Sequence, residues 1–257
     1  MKNIFLLFTL LFVFQSCQSK TPKNLDIKQV QGNLSYSIAT IEKVNHKAWD
    51  VLLKKYVDEN GFVNYEGFLN SKTQLANYIN YLPENVPDES WTVQEQLAYY
   101  INLYNALTVQ LIIENYPTNS IKDIKKPWDQ TVITLKGTDY SLGDIEHKIL
   151  RKMNEPRIHF AINCASYSCP KLLNEAFTAS KLENQLEQVT DDFINGNKNE
   201  THPTDPKLSK IFKWYKKDFK GNGNADVIQF INQYSTIKIK EDASIDYLDY
   251  NWNLNQK

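Results

Sequence analysis

A chain of 257 residues with 29 basic and 30 acidic side chains carries a formal charge of −1, which excludes the basic footprint that nucleic-acid binding requires. Eight glycines, nine prolines and an aromatic content of 12% exclude a loop-dominated or disordered chain and point to a packed core. No internal repeat or low-complexity block is visible, and the length beyond the N-terminal region suits one large compact domain.

The chain opens with Lys2 and the apolar run "IFLLFTLLFVF", residues 4–14. A bilayer-spanning helix needs about 20 residues, so the run reads as an export signal peptide covering residues 1–16. Its end, "FQSC", resembles the lipobox of bacterial lipoproteins, with Cys17 as the lipid anchor. Phe14 and Gln15 depart from the commonest form of that motif. Residues 17–40 are polar, lack apolar periodicity and read as a lipidated tether, leaving 41–257 as the folded domain. The expected setting is the cell envelope, as an outer- or inner-membrane lipoprotein held by Cys17, either periplasmic or surface-exposed.

"NHKAWDVLLKKYV" places Trp49, Leu52, Leu53 and Tyr56 at the spacing of one helix face. "FVNYEGFL" is ambiguous between strand and helix, and "KTQLANYINYL" predicts a helix stopped at Pro83. Thr92 and Glu95 form a capping-box pattern ahead of "LAYYINLYNALTVQLIIENYP". That helix is apolar nearly all round, which predicts burial. Asn102 and Asn105 share a face in its middle, where an unpartnered amide costs about 1–3 kcal/mol. They either clamp a neighbouring loop or line a polar pocket.

"TVITLKGTDYSL" predicts a hairpin turning at "KGTD", and Ser141 with Asp144 caps a following helix "LGDIEHKILRKM". Pro156 closes that helix and opens a predicted strand "RIHFAIN". Strand alternation sets Ile158, Phe160 and Ile162 on one face and Arg157, His159, Ala161 and Asn163 on the other. Cys164 then meets His159 only where the chain turns at Asn163. A helix from Ser180 to about Ile194, a strand "KLSKIF", a helix "DVIQFINQY" and a strand "TIKIK" follow. Strands and helices alternate without a regular βαβ period, which predicts an α+β domain with a mixed sheet packed against the long buried helix.

The chemistry concentrates in "RIHFAINCASYSCP", which holds Cys164 and Cys169. In an exported protein the two thiols tend towards a disulfide, which would shape the loop and set its pocket-facing groups. The catalytic reading makes Cys164 a nucleophile, with His147 or His159 as base. Asp144, three residues before His147, would orient that ring, and Asn102 or Asn105 would hold an oxyanion. Each histidine has an ordinary reading too, His147 as a helix-surface residue and His159 as a hydrogen-bonded sheet residue. A zinc site from His147, His159, Cys164 and Cys169 has suitable ligand types but lacks the usual close pairs, and neither a metal nor a cofactor is expected. The binding candidates are Asn102, Asn105, Asn163 and Cys169.

Four ordered blocks, "YYINLYNALTVQLI", "YSLGDIEHKILR", "PRIHFAINCASYSCPKL" and "LSKIFKWYKKDF", resemble the domain of unknown function 547 family over about residues 45–253. The resemblance implies that these blocks matter without implying a reaction. "YLDYNWNLN" departs from it, with Asn251 where the resemblance implies an aspartate, which weakens a catalytic role there. Besides a structural lipoprotein with no small ligand, two functions stay open. One is a hydrolase- or transferase-like thiol enzyme of the envelope. The other is a non-catalytic peptide- or glycan-binding module whose Cys164–Cys169 disulfide shapes the pocket, with tyrosines and tryptophans as stacking surfaces. The small molecule, peptide or glycan is not specified by the sequence.

Overall fold

The structure, a computed structural model, describes residues 25–32, 34, 42–221 and 224–257. The leader, Cys17 and most of the segment read as a tether lie outside the described residues. Within that segment Leu25, Val30 and Leu34 are buried, and the Val30 amide donates to the Met153 carbonyl at 2.8 Å.

The fold is an α+β single domain built around one helix. Helices α1 (Lys47–Tyr56), α2 (Tyr65–Leu69) and α3 (Lys72–Tyr81) precede the long α4 (Val93–Glu114). The predicted face of α1, Trp49, Leu52, Leu53 and Tyr56, is the buried one, and Trp49 stacks on Tyr78 of α3 at a 6.0 Å centroid distance. The ambiguous "FVNYEGFL" is resolved as α2, because the Asn64 side chain accepts from the Gly67 amide and caps a helix.

Helix α4 carries the expected capping box, with the Glu95 amide donating to Thr92 Oγ1 at 3.2 Å and the Thr92 amide to Glu95 Oε2 at 2.7 Å. It is buried on nearly every side. α2 and α3 pack against it, and so does the helical segment after the hairpin. Full burial of each large apolar side chain contributes roughly 1.5–3 kcal/mol, so α4 is the centre of the core.

Strands β1 (Thr131–Leu135) and β2 (Thr138–Ser141) form the predicted hairpin. Lys136 and Gly137 both have positive φ, 48° and 75°, the geometry of a two-residue turn that matches strand twist. Ser141 and Asp144 then cap α5 (Leu142–Asp144) as a capping box. The helix continues as a π turn over Ile145–Ile149 and a 3-10 turn over Leu150–Met153, so the predicted element is present but wider at its middle.

Three expectations about strands are corrected. "RIHFAIN" forms α6 (Ile158–Ala161), a single helical turn. Its amides are satisfied locally, with His159 N donating to the Pro156 carbonyl at 3.2 Å and Phe160 N to the Arg157 carbonyl at 3.0 Å. All four of its residues are buried, and period-2 alternation is weak evidence in so short an apolar run. In "KLSKIF" only β3 (Lys207–Leu208) is a strand, because Ser209 caps α8 (Lys210–Trp214). "TIKIK" pairs with no strand: the Ile239 amide donates to the Asn232 side chain at 2.9 Å instead.

The remaining elements are α7 (Leu182–Ile194), β4 (Lys220–Gly221), β5 (Asn224–Ala225), α9 (Val227–Tyr234) and β6 (Asp246–Tyr247). The strands gather into separate two-stranded pieces, β1–β2, β3–β6 and β4–β5, rather than one mixed sheet. Arg157, buried with Glu155 and 2.9 Å from Glu183 of α7, fastens the start of α6 to that helix. Among the described residues no helix is long and apolar enough to cross a membrane.

Candidate functional site

The loop after α6 is shaped by asparagines. Asn105 of α4 donates from Nδ2 to the Ala161 carbonyl at 3.0 Å and accepts from the Asn163 amide at 2.9 Å. This bonds the chain where it leaves α6. Asn163 in turn donates to the Pro170 carbonyl at 2.7 Å and accepts from the Ala165 amide at 2.8 Å, closing the loop on itself. Ala165 takes a left-handed φ of 59°, the bend that separates Cys164 from the α6 direction. Asn102 grips a second loop, with Nδ2 2.8 Å from the Phe177 carbonyl and Oδ1 3.0 Å from the Phe177 amide. Asn102 and Asn105 are therefore backbone clamps, and neither lines the cleft described below.

Cys164 and Cys169 are joined as a disulfide with Cα atoms 6.3 Å apart. The bonded sulfurs face Ser166 and Tyr250: Cys164 Sγ is 3.1 Å from Ser166 Oγ, and the Tyr250 hydroxyl lies 3.3 Å from Cys169 Sγ. Ser166 Oγ also donates to the Tyr250 hydroxyl at 2.9 Å. Cys164 in this state offers no thiolate for nucleophilic attack.

A cleft of about 330 Å³ opens beside this disulfide, and both cysteines, His147, His159 and Glu146 line it. Its wall is aromatic. Tyr250 and Trp252 lie 4.5 Å apart by ring centroid, Trp214 is 4.8 Å from Tyr250, and Trp128 is 5.8 Å from Trp252. Tyr104 and Tyr215 complete the lining with Ile162, Pro170 and Ile211. Burial raises Tyr104 and Tyr215 well above the ordinary phenol range and pushes Tyr250 up to about 12, so all three keep their protons near neutrality.

His159 is brought to the cleft but is held from behind. Its Nε2 donates to Asp218 Oδ2 at 2.9 Å, and its ring stacks on Tyr215 at 4.0 Å. Burial pushes the imidazole below its ordinary value despite the pull of Asp218. Burial alone would raise Asp218, but hydrogen bonds from His159 and Arg151 hold its carboxyl well below the usual range. Arg151 closes this unit with Nε 2.5 Å and Nη2 2.9 Å from the two Asp218 oxygens.

The expected Asp144 to His147 orientation is not formed. Asp144 accepts from the Ser141 amide at 3.0 Å and pairs with Lys148 at 2.6 Å. His147 Nδ1 instead lies 3.3 Å from Arg151 Nη1 and 3.7 Å from Glu146 Oε1. The π turn is the physical reason, because its wider spacing shifts side chains out of the i, i+3 register of an ordinary helix.

The same turn directs Glu146 inward, a residue that sequence reasoning passed over in favour of its neighbour. Glu146 is 5% exposed; its carboxyl accepts from the Tyr104 hydroxyl, at 3.5 Å from Oε2, and from the Tyr215 hydroxyl, while Oε1 has no hydrogen-bond partner among the described residues at ordinary hydrogen-bond geometry. Trp214, Tyr215, Asp218, Tyr250 and Trp252 were also missed as site residues, although their crowding in "FKWYKKDF" and "DYNWN" was a visible signal. Asn251 holds the turn between them, its amide donating to Ser168 Oγ at 2.9 Å.

A larger cavity of about 760 Å³ lies across the loop, lined by Phe62, Tyr167, Cys169, Lys171, Asp192 and Lys198 among others. Two of its cations are engaged within the protein, Lys171 with Asp192 at 3.2 Å and Lys198 with the Tyr167 carbonyl at 2.6 Å. Among the described residues no group of three or more His, Cys, Asp or Glu side chains gathers to hold a metal ion.

Neither a curated protein nor a solved structure matches the chain. A family match exists and is narrower than the four-block resemblance, taking in the first three blocks and ending before "LSKIFKWYKKDF". Residues 89–194 match the model of the family described as Protein of unknown function, DUF547, so the stretch similar to that family carries α4, Glu146, His159 and both loop cysteines, while Trp214, Asp218, Tyr250 and Trp252 lie beyond it.

Proposed function

We propose that the protein is a non-catalytic binding module that takes a sugar ring or a peptide side chain into the cleft beside the Cys164–Cys169 disulfide. The observation that carries this reading is the wall of Trp128, Trp214, Tyr250 and Trp252 standing on the disulfide loop. Aromatic faces lining a concave site with few polar groups are the usual composition of a ligand pocket, and 330 Å³ is at the small end of such pockets. The bonded sulfurs support binding over thiol chemistry, and the neutral His159 is occupied with Asp218. Calorimetric titration with N-acetylglucosamine and with Nα-acetyl-lysine amide is the test. Saturable binding of either, lost in Trp214→Ala, is expected; heats indistinguishable from dilution for both, and also for glucosamine and the Nε-acetylated lysine probe, overturn the reading.

The module is proposed to be displayed in the cell envelope on a Cys17 lipid. The apolar run ending at Cys17 supports this, and so does the bonded cysteine pair, since disulfides persist in oxidising compartments. Replacing Cys17 with alanine is expected to release the protein from the membrane fraction. Retention there would refute the anchor.

A further inference from the structure

Glu146 sets an unsolved electrostatic condition inside the cleft. A carboxylate 5% exposed is costly to bury unless it is paired or hydrogen-bonded, yet Oε1 finds no partner among the described residues. The cations nearest along its helix are engaged elsewhere, Lys148 with Asp144 at 2.6 Å and Arg151 with Asp218 at 2.5 Å. His147, 3.7 Å away, is beyond hydrogen-bond reach and half exposed. The cleft that Glu146 lines also carries the rings of Trp128, Trp214, Tyr250 and Trp252. Ring faces attract cations, and Trp252 already has the Lys122 ammonium 5.1 Å from its centroid.

Resting on the binding reading above, we infer that the group entering the cleft is an organic ammonium, which donates to Glu146 Oε1 while the surrounding rings enclose its alkyl carbons. A donor suits Oε1 because a carboxyl oxygen left without a partner can accept a hydrogen bond. A cation is favoured over a neutral hydroxyl because charge-assisted bonds are about twice as strong as neutral ones, and because an aromatic enclosure adds its own attraction for positive charge. An amino sugar and a lysine side chain both present this chemistry.

The test compares paired probes by calorimetry: glucosamine against N-acetylglucosamine, and Nα-acetyl-lysine amide against its Nε-acetylated form. The charged member of at least one pair is expected to bind about tenfold tighter, and the pair that shows the preference identifies sugar or peptide as the source. Glu146→Gln keeps the shape and is expected to erase the preference. Trp214→Ala, at a position 46% exposed, is expected to weaken the charged probe in the folded protein. Equal binding within both pairs, or a preference unchanged by Glu146→Gln, overturns the ammonium assignment while leaving the cleft a binding site. Absence of binding by all four probes overturns both.

Discussion

The interior around α4 and the cleft around the disulfide both bury polar groups, and they treat them in opposite ways. Asn102 and Asn105 lie at the middle of α4, 0% and 2% exposed, and each side chain both donates to and accepts from a backbone group of another segment. Glu146 is nearly as buried, yet one oxygen is left facing a cleft without a partner. Satisfied amides specify a fold, because removing one strands its partners. An unsatisfied carboxylate at the edge of a cavity costs stability in the empty protein and is recovered only by something that enters. The contrast separates residues that hold the molecule together from residues that meet a ligand.

The interior side of that contrast breaks hardest. Asn105→Leu strands the Ala161 carbonyl and the Asn163 amide, and with each unsatisfied group costing about 1–3 kcal/mol the expected loss is about 4 kcal/mol in urea unfolding. Asn102→Leu should lose a similar amount at Phe177, without changing the affinity of the folded fraction. A loss under 1 kcal/mol for both would mean that the amides are not clamps.

Buried His46 gives the interior a pH signature. Its Nδ1 is 2.7 Å from the Tyr78 hydroxyl, and burial pushes the ring from 6.5 down to about 4. The folded ring stays neutral between those values while the unfolded one binds a proton. Stability therefore falls as pH drops from about 6.5 to 4, by about 3 kcal/mol in all. His159, lowered in the same direction, adds to the slope. His46→Gln is expected to flatten the stability profile over this range; an unchanged profile would contradict the assignment.

The disulfide comes next in size. It closes a short loop, for which the chain-entropy cost of removal is about 2 kcal/mol, so the double variant Cys164→Ser/Cys169→Ser should unfold slightly earlier in urea while losing most of its affinity. A thiol count on the denatured, unreduced protein is expected to find Cys164 and Cys169 protected. Two reactive thiols would return the catalytic alternative to consideration.

How much of this was legible in the sequence depends on how local each feature is. The α1 face, the capping boxes at Thr92 and Ser141 and the hairpin at Lys136–Gly137 follow from residues within a few positions of one another, and all are present. The clamping role of Asn102 was one of two open readings, because the partner carbonyl of Phe177 is 75 positions away. α6 was read as a strand from the alternation of Ile158, Phe160 and Ile162, a weak signal in an apolar run this short, whose four helical residues are all buried. Glu146 was passed over because a glutamate in an amphipathic helix ordinarily faces solvent, and only the π turn aims it inward. Tyr250 meets Ser166 across 84 positions, so the aromatic wall exists only once the chain has folded.

The most direct test of the account measures stability and affinity together in Trp214→Ala. Trp214 is 46% exposed but packs on the Tyr250 and Trp252 rings, so its removal should cost about 1–2 kcal/mol of unfolding free energy while weakening the tighter-binding probe by about tenfold in the folded fraction. An affinity equal to that of the unaltered protein, or a loss that merely tracks unfolding, would show that the rings pack the domain and meet no ligand.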